Sequence, residues 1–153
     1  MEGVLMKAAY DVDCYEWTQH QAAALAASHV SELDLANLAE EIESLGRRDR
    51  RALRSRLKVL VRHLLKWCYQ PERRKMGRSW WRTIRTQRSE ISLMWDDSPS
   101  LRRQVPEMMQ ADYQAVCMDT NGETDLPLTT FPQTCPWTAE QVLDDTFWPH
   151  EDD

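Results

Sequence analysis

The chain has 153 residues, of which 42% are apolar and 29% charged, with a formal net charge of −6. That length suits one domain with a real core, and the composition is neither collagen-like, disordered nor that of a disulfide scaffold. No apolar run approaches the roughly 20 residues of a bilayer crossing, so no membrane partner is expected, and the stretch from Met1 to Tyr10 does not have the form of a secretory signal, so a cytoplasmic location is expected.

Asp13 followed by Glu16 has the form of a capping box, and Ala22 to Ala27 are mostly strong helix formers, which predicts a first helix over about 14–28. Ser31 to Asp34 reads as a turn, with Asp34 capping the next helix. From there Leu38, Ile42, Leu45, Leu53, Leu57, Leu60, Leu64 and Trp67 recur at helical spacing and keep phase across Gly46. One long helix over about 35–69 is therefore expected, ended by Pro71. Its opposite face is cationic, with Arg47, Arg51, Arg54, Lys58 and Arg62 at steps of four or three. Near its end, apolar residues from Val59 to Cys68 cover most of the circumference, so His63 and Lys66 are expected to be shielded and to need partners.

Residues 70–78 read as a base-rich loop. Ser79 then caps a helix over about 80–95, with Trp80, Ile84, Ile91 and Trp95 on its apolar side and Gln87 and Arg88 beside them. Ser98-Pro99 opens a short helical turn, and a longer helix follows over about 106–119, stopped by Asn121-Gly122. Pro127, Pro132 and Pro136 point to an extended wrap over 121–137, and Thr138 with Gln141 caps a last short helix to about 144. Strand patterns are nearly absent. The expected architecture is all-α, a single helical domain over 1–153 with its core at about 10–149 and loose ends at 1–9 and 150–153. Two long antiparallel helices would form its centre.

The charge is unevenly placed: residues 1–46 carry −8, residues 47–103 carry +13 and residues 104–153 carry −11. The acidic flanks could fold over the basic middle, or that middle could serve an anionic partner such as nucleic acid. The candidates for such a face are Arg47, Arg51, Arg54, Lys58, Arg73, Arg74 and Lys75, with Trp81 as the most exposed of the tryptophans around the basic segment. Cys14, Cys68, Cys117 and Cys135 have no metal-ligand or disulfide spacing and read as buried free thiols. There is no phosphate loop, no His-Glu-x-x-His and no Glu-x-x-His pair, so neither a nucleotide cofactor nor a metal is expected. Glu41, His63 and Lys66 are the only candidates for acid–base chemistry, and a lone histidine on an apolar helix is more often a satisfied core residue.

Several blocks carry a family resemblance. They are Tyr10-Asp11-x-Asp13 with Trp17, Leu38 to Gly46 (LAEEIESLG), His63-Leu64-Leu65-Lys66-Trp67, Gln70-Pro71-Glu72-Arg73-Arg74, Ser79-Trp80 and Thr83-Ile84. Ser98-Pro99-Ser100-Leu101, Glu123-Thr124, Phe131-Pro132 and Cys135-Pro136 continue the match, which resembles the bacterial domain-of-unknown-function family 29 over about residues 10–149. Cys68 departs from that pattern, where a polar residue is more usual. The resemblance implies a compact α-helical cytoplasmic domain and brings no activity, cofactor or catalytic residue with it. The function expected from the sequence is a non-enzymatic interaction module that binds a protein partner or itself. Nucleic-acid binding through 47–88 is the alternative, and a hydrolase or nuclease around His63 is a distant third.

Overall fold

The computed structural model describes residues 9–76 and 79–150. Among these residues every regular element is helical and no strand occurs, so the chain is all-α. The outermost residues at both ends, and with them most of the stretches expected to be loose, lie outside the described residues, as do Gly77 and Arg78 at the close of the basic loop. The chain forms two compact units, Met1–Asp49 and Arg50–Asp153.

In the first unit α1 spans Cys14–Ala26. Asp13 lies in extended backbone and its carboxylate accepts from the Glu16 amide at 2.9 Å, satisfying one of the orphan donors of the first turn. The helix ends two residues before the expected 28 because Ser28 turns left-handed, at φ 58°. The amide of Ser28 then bonds the Leu25 carbonyl at 3.1 Å and that of His29 the Ala24 carbonyl at 2.9 Å. This is the closure that usually recruits glycine. A 3-10 turn at Val30–Glu32 leads to Asp34, which accepts from the Asn37 amide at 3.4 Å and caps α2 as expected. Buried Gln21 joins the two helices: its Nε2 donates to the Glu32 carbonyl at 3.2 Å and its Oε1 accepts from the Asp34 amide at 2.7 Å. Trp17, the largest buried side chain here, donates to Asp34 Oδ2 at 3.3 Å and meets the Tyr10 ring edge-on at 4.8 Å.

The second helix, α2, runs unbroken over Leu35–Tyr69, through Gly46. An alanine-sized group at Gly46 would meet nothing within 4 Å, so the glycine answers no packing need.

The second unit holds the core. Leu53, Leu57, Leu60, Leu64 and Leu65 of α2 cluster with Ile84 and Ile91 of α3 (Ser79–Asp97) and with Val105, Met108, Tyr113 and Val116 of α4 (Val105–Glu123). Fully burying each such side chain is worth about 1.5–3 kcal/mol, which is why this unit is anchored on these helices. The turns at Pro71–Met76 and Pro99–Gln104 are 3-10, and Pro106 sits in the first turn of α4, where a missing amide costs nothing. The α4 helix runs through Asn121-Gly122 to Glu123, beyond the expected end near 119. Its final turn is tied down by Thr124, whose hydroxyl donates to the Thr120 carbonyl at 2.7 Å, and by Asn121, whose amide donates to the Leu126 carbonyl at 2.8 Å. The proline-rich stretch after it carries a 3-10 turn at Leu128–Thr130 and packs Phe131 and Trp137 into the core. Thr138 and Gln141 form the reciprocal capping box of α5 (Ala139–Leu143), and Val142 is fully buried.

Candidate interaction surface

Within the second unit, acidic and carbonyl groups from α4 onward engage part of the basic segment. Arg54 grips Asp112 with both Nε (2.6 Å) and Nη2 (2.5 Å), a bidentate pair that holds the buried Asp112 carboxyl below its ordinary range. Lys58 adds a weaker pull in the same direction. Glu123 takes both Arg62, at 3.4 Å, and the buried Lys66, and its own carboxyl is held down chiefly by the Lys66 hydrogen bond. Arg56 reaches Glu90 at 3.4 Å. Arg74 donates to the Trp67 carbonyl at 2.5 Å and lies over the Trp67 ring.

Arg88 is the most committed of these bases. It is buried, donates from Nε to the Val142 carbonyl and from Nη2 to the Phe147 carbonyl, both at 2.9 Å, and lies 5.4 Å over the Trp148 ring. Burial pushes its guanidinium below the ordinary value, against the attraction of Asp145 and Asp144. Arg88, expected on the apolar side of α3, straps the C-terminal segment to that helix.

The remaining candidates are placed differently. Arg51, Arg73 and Lys75 are exposed, and Arg47 makes only an exposed pair with Glu43 at 3.5 Å. Trp81 is also exposed, with Arg85 4.8 Å over its ring.

The acid–base candidates each have a partner of their own. Glu41 accepts from the Tyr10 hydroxyl at 2.6 Å in the first unit, a bond that pushes the phenol up to about 12. In the second unit, His63 donates from Nδ1 to the Val59 carbonyl at 2.8 Å, one turn back on its own helix. Burial drives its imidazole below the ordinary value, with Lys66 and Arg62 adding to the fall and the Val59 bond and Glu123 opposing it. The shielding expected of Lys66 is present, and its partner is Glu123. Cys14, Cys117 and Cys135 are in no disulfide; Cys117 is buried as expected and Cys135 half-buried, but Cys14 is exposed, because it opens α1 one turn ahead of that helix's first buried residue, Trp17. Burial raises the thiols of Cys117 and Cys135, which makes them poorer nucleophiles.

The surface that sequence periodicity missed lies in the first unit. The apolar stripe of α2 is closed only from Leu53 onward: Leu35, Ile42 and Leu45 stand 64%, 67% and 55% exposed, whereas Leu53, Leu60 and Leu64 are fully buried. Periodicity locates a stripe without saying where a partner begins to cover it. Here Tyr10 and Trp17 bond Glu41 and Asp34, which flank the stripe, and leave its crest open. Val12, Tyr15, Leu25 and Val30 are exposed in the same unit. Beside α1 is a groove of about 680 Å³, lined by Trp17, Ala23, Ala24 and Ala27 and rimmed by Glu16 and Glu32. Exposed apolar area gathered in this way marks contact surfaces more often than chance placement does.

Among the described residues no helix is long and apolar enough to cross a membrane. A family model described as "Domain of unknown function DUF29" matches residues 9–148, nearly the whole chain. No curated protein and no solved structure matches the chain.

Proposed function

We propose that this chain, which belongs to the DUF29 family, is a non-enzymatic interaction module whose docking surface is the open apolar face of its first unit. The observation that carries the reading is the crest of α2, where three large aliphatic side chains stay more than half exposed on a stripe that is buried farther along the same helix. Leaving them in water forgoes burial worth about 1.5–3 kcal/mol for each side chain, and a partner would recover part of it. The acid–base candidates lend no support to catalysis: Glu41 and Lys66 are tied to Tyr10 and Glu123, and His63 is spent on a backbone carbonyl.

The test is photo-crosslinking in producing cells with a photoreactive residue at position 42, and with a control at exposed Gln110 on α4. Discrete adducts from position 42 and none from 110 are expected. No adduct from either position refutes the reading.

A second reading is kept for one observation, the exposed Trp81–Arg85 stack, with exposed Arg82 beside it in sequence and exposed Arg73 and Lys75 in the turn that precedes this helix. Stacking on a cationic surface suits single-stranded nucleic acid. That reading requires affinity that falls steeply with salt and is lost on reversing Arg82 and Arg85. No retention of a DNA and RNA mixture at low salt removes it.

A further inference from the structure

The groove beside α1 has a shape and a charge that narrow what can lie in it. Glu16, His20, Ala23, Ala24 and Ala27 line it and recur at steps of three or four, so its floor follows one stripe of the helix. From Glu16 to Ala27 the helix rises about 16 Å, or three turns. The three alanines end at Cβ, and the buried indole of Trp17 closes the floor beside them. Acids stand at both ends: Asp13 and Glu16 where α1 begins, Glu32 past its close. Glu16 and Glu32 make exposed pairs with His20 at 3.9 Å and His29 at 3.7 Å. Residues 9–46 hold eight acids and no lysine or arginine. Within that stretch the rim carboxylates meet no permanent cation.

These features select among occupants. A nucleic acid or an anionic lipid surface is repelled by the acids. An extended peptide finds no strand edge on α1 to pair with. A helix fits: side chains that end at Cβ let a second helix axis come within about 8–10 Å, and the newcomer closes a trough that is open along its length. We propose that the groove takes a cationic amphipathic helix of a protein partner, about three turns long. Its apolar stripe lies on Ala23, Ala24 and Ala27, and its lysines or arginines stand over Asp13, Glu16 and Glu32. This deepens the interaction reading above by giving the partner a chemistry, and it rests on the first unit being the one that docks. The apolar floor supplies the burial, and the acids at the two ends select the sign of the partner's charge.

The experiment uses the full chain and a blocked 14-residue peptide of leucine and lysine with all leucines on one helical face. Fluorescence anisotropy measures affinity, amide NMR shifts locate the peptide, and far-UV circular dichroism confirms that each variant is folded. A Kd on the order of 10 µM is expected, with shifts centred on residues 16–32. The same peptide with glutamate for lysine, a peptide of equal composition with scattered leucines, and spermidine should each bind at least about tenfold more weakly. Glu16→Lys with Glu32→Lys removes the acids from both ends, and Ala23→Gln with Ala27→Gln fills the floor at two exposed positions without changing charge. Each double variant should bind the peptide at least about tenfold more weakly than the parent. Shifts that map elsewhere, variants that bind like the parent, or a glutamate peptide that binds as well overturn the proposal. Spermidine binding as tightly as the peptide makes this a site for small cations and overturns the helix. Groove shifts that change on dilution of the chain alone mark a second copy as the occupant and overturn it too.

The outcome for the broader reading is separate. A peptide that fails to seat while position 42 still gives adducts in cells sinks the cationic helix and leaves the interaction module standing. A seated peptide with no adduct from position 42 supports the groove and removes the crest of α2 as the docking surface.

Discussion

Replacing Arg88 by methionine tests what fastens the C-terminal segment to α3. Methionine keeps most of the stem volume and removes the two donors that reach the Val142 and Phe147 carbonyls. Val142 lies in the last turn of α5, where carbonyls have no helical partner, so both acceptors are stranded. Each buried acceptor left unpaired costs about 1–3 kcal/mol, and the stack on Trp148 is lost as well. Against this, a buried guanidinium is itself expensive, and Arg88 Nη1 has no hydrogen-bond partner. The two stranded carbonyls outweigh that relief because the chain around them cannot turn to water without opening the core at Val142. A net loss of about 2–3 kcal/mol is expected, or a fall in Tm of roughly 4–12 °C for a chain of this size. Arg88→Lys, able to reach one carbonyl, should lose about half as much. Urea unfolding measures the total, and hydrogen exchange should show protection falling more over residues 142–148 than over 57–65. A methionine variant as stable as the parent would show that the strap is ornamental and that packing alone holds the segment.

Three further outcomes are expected. Gly46→Ala should stabilise the helix by about 0.5–1 kcal/mol, because alanine is the better helix former and meets nothing there; unchanged or lower helicity on a thermal scan would mean that the glycine has a role in packing. Ser28→Gly should gain about 0.5–1 kcal/mol by relieving the left-handed turn after α1, and a destabilised variant would count against that geometry. His63 has a folded-state value below its ordinary 6.5, so under acid the unfolded chain takes up a proton that the folded chain resists, and stability is lost as pH falls from 6.5 through the folded value. His63→Gln should flatten the urea-midpoint profile between pH 7.5 and 5.5, and parallel profiles for parent and variant would refute this.

The helices were legible because their signals are local. Asp13, Asp34 and Thr138 cap where their side chains can reach backbone amides within three residues, and the 3.6-residue rhythm of leucines in α2 survives a single glycine. The misses at helix ends are decided within five residues, by side-chain bonds and a backbone conformation that periodicity does not report. α4 outruns Asn121-Gly122 because Thr124 and Asn121 find partners that tie down its last turn, and α1 stops short because Ser28 accepts a left-handed turn. Of the candidate residues, Arg54 looked from its spacing like a member of one cationic face, Arg74 like part of a base-rich loop and Lys66 like a shielded base in need of a partner; spacing did not name the partners, which are Asp112, the Trp67 carbonyl and Glu123.

By itself the order of residues determined that this protein is helical, where most of its helices begin, and that one side of α2 is greasy and the other charged. Those properties follow from backbone propensity, capping and periodicity, which act over a turn or two. Tertiary structure alone decided which stretch of the stripe is covered and which arginines are consumed. Burial and ion pairing depend on segments 50 or more residues apart meeting in space, as Arg54 meets Asp112 and Arg88 meets Phe147, and no local pattern encodes that meeting.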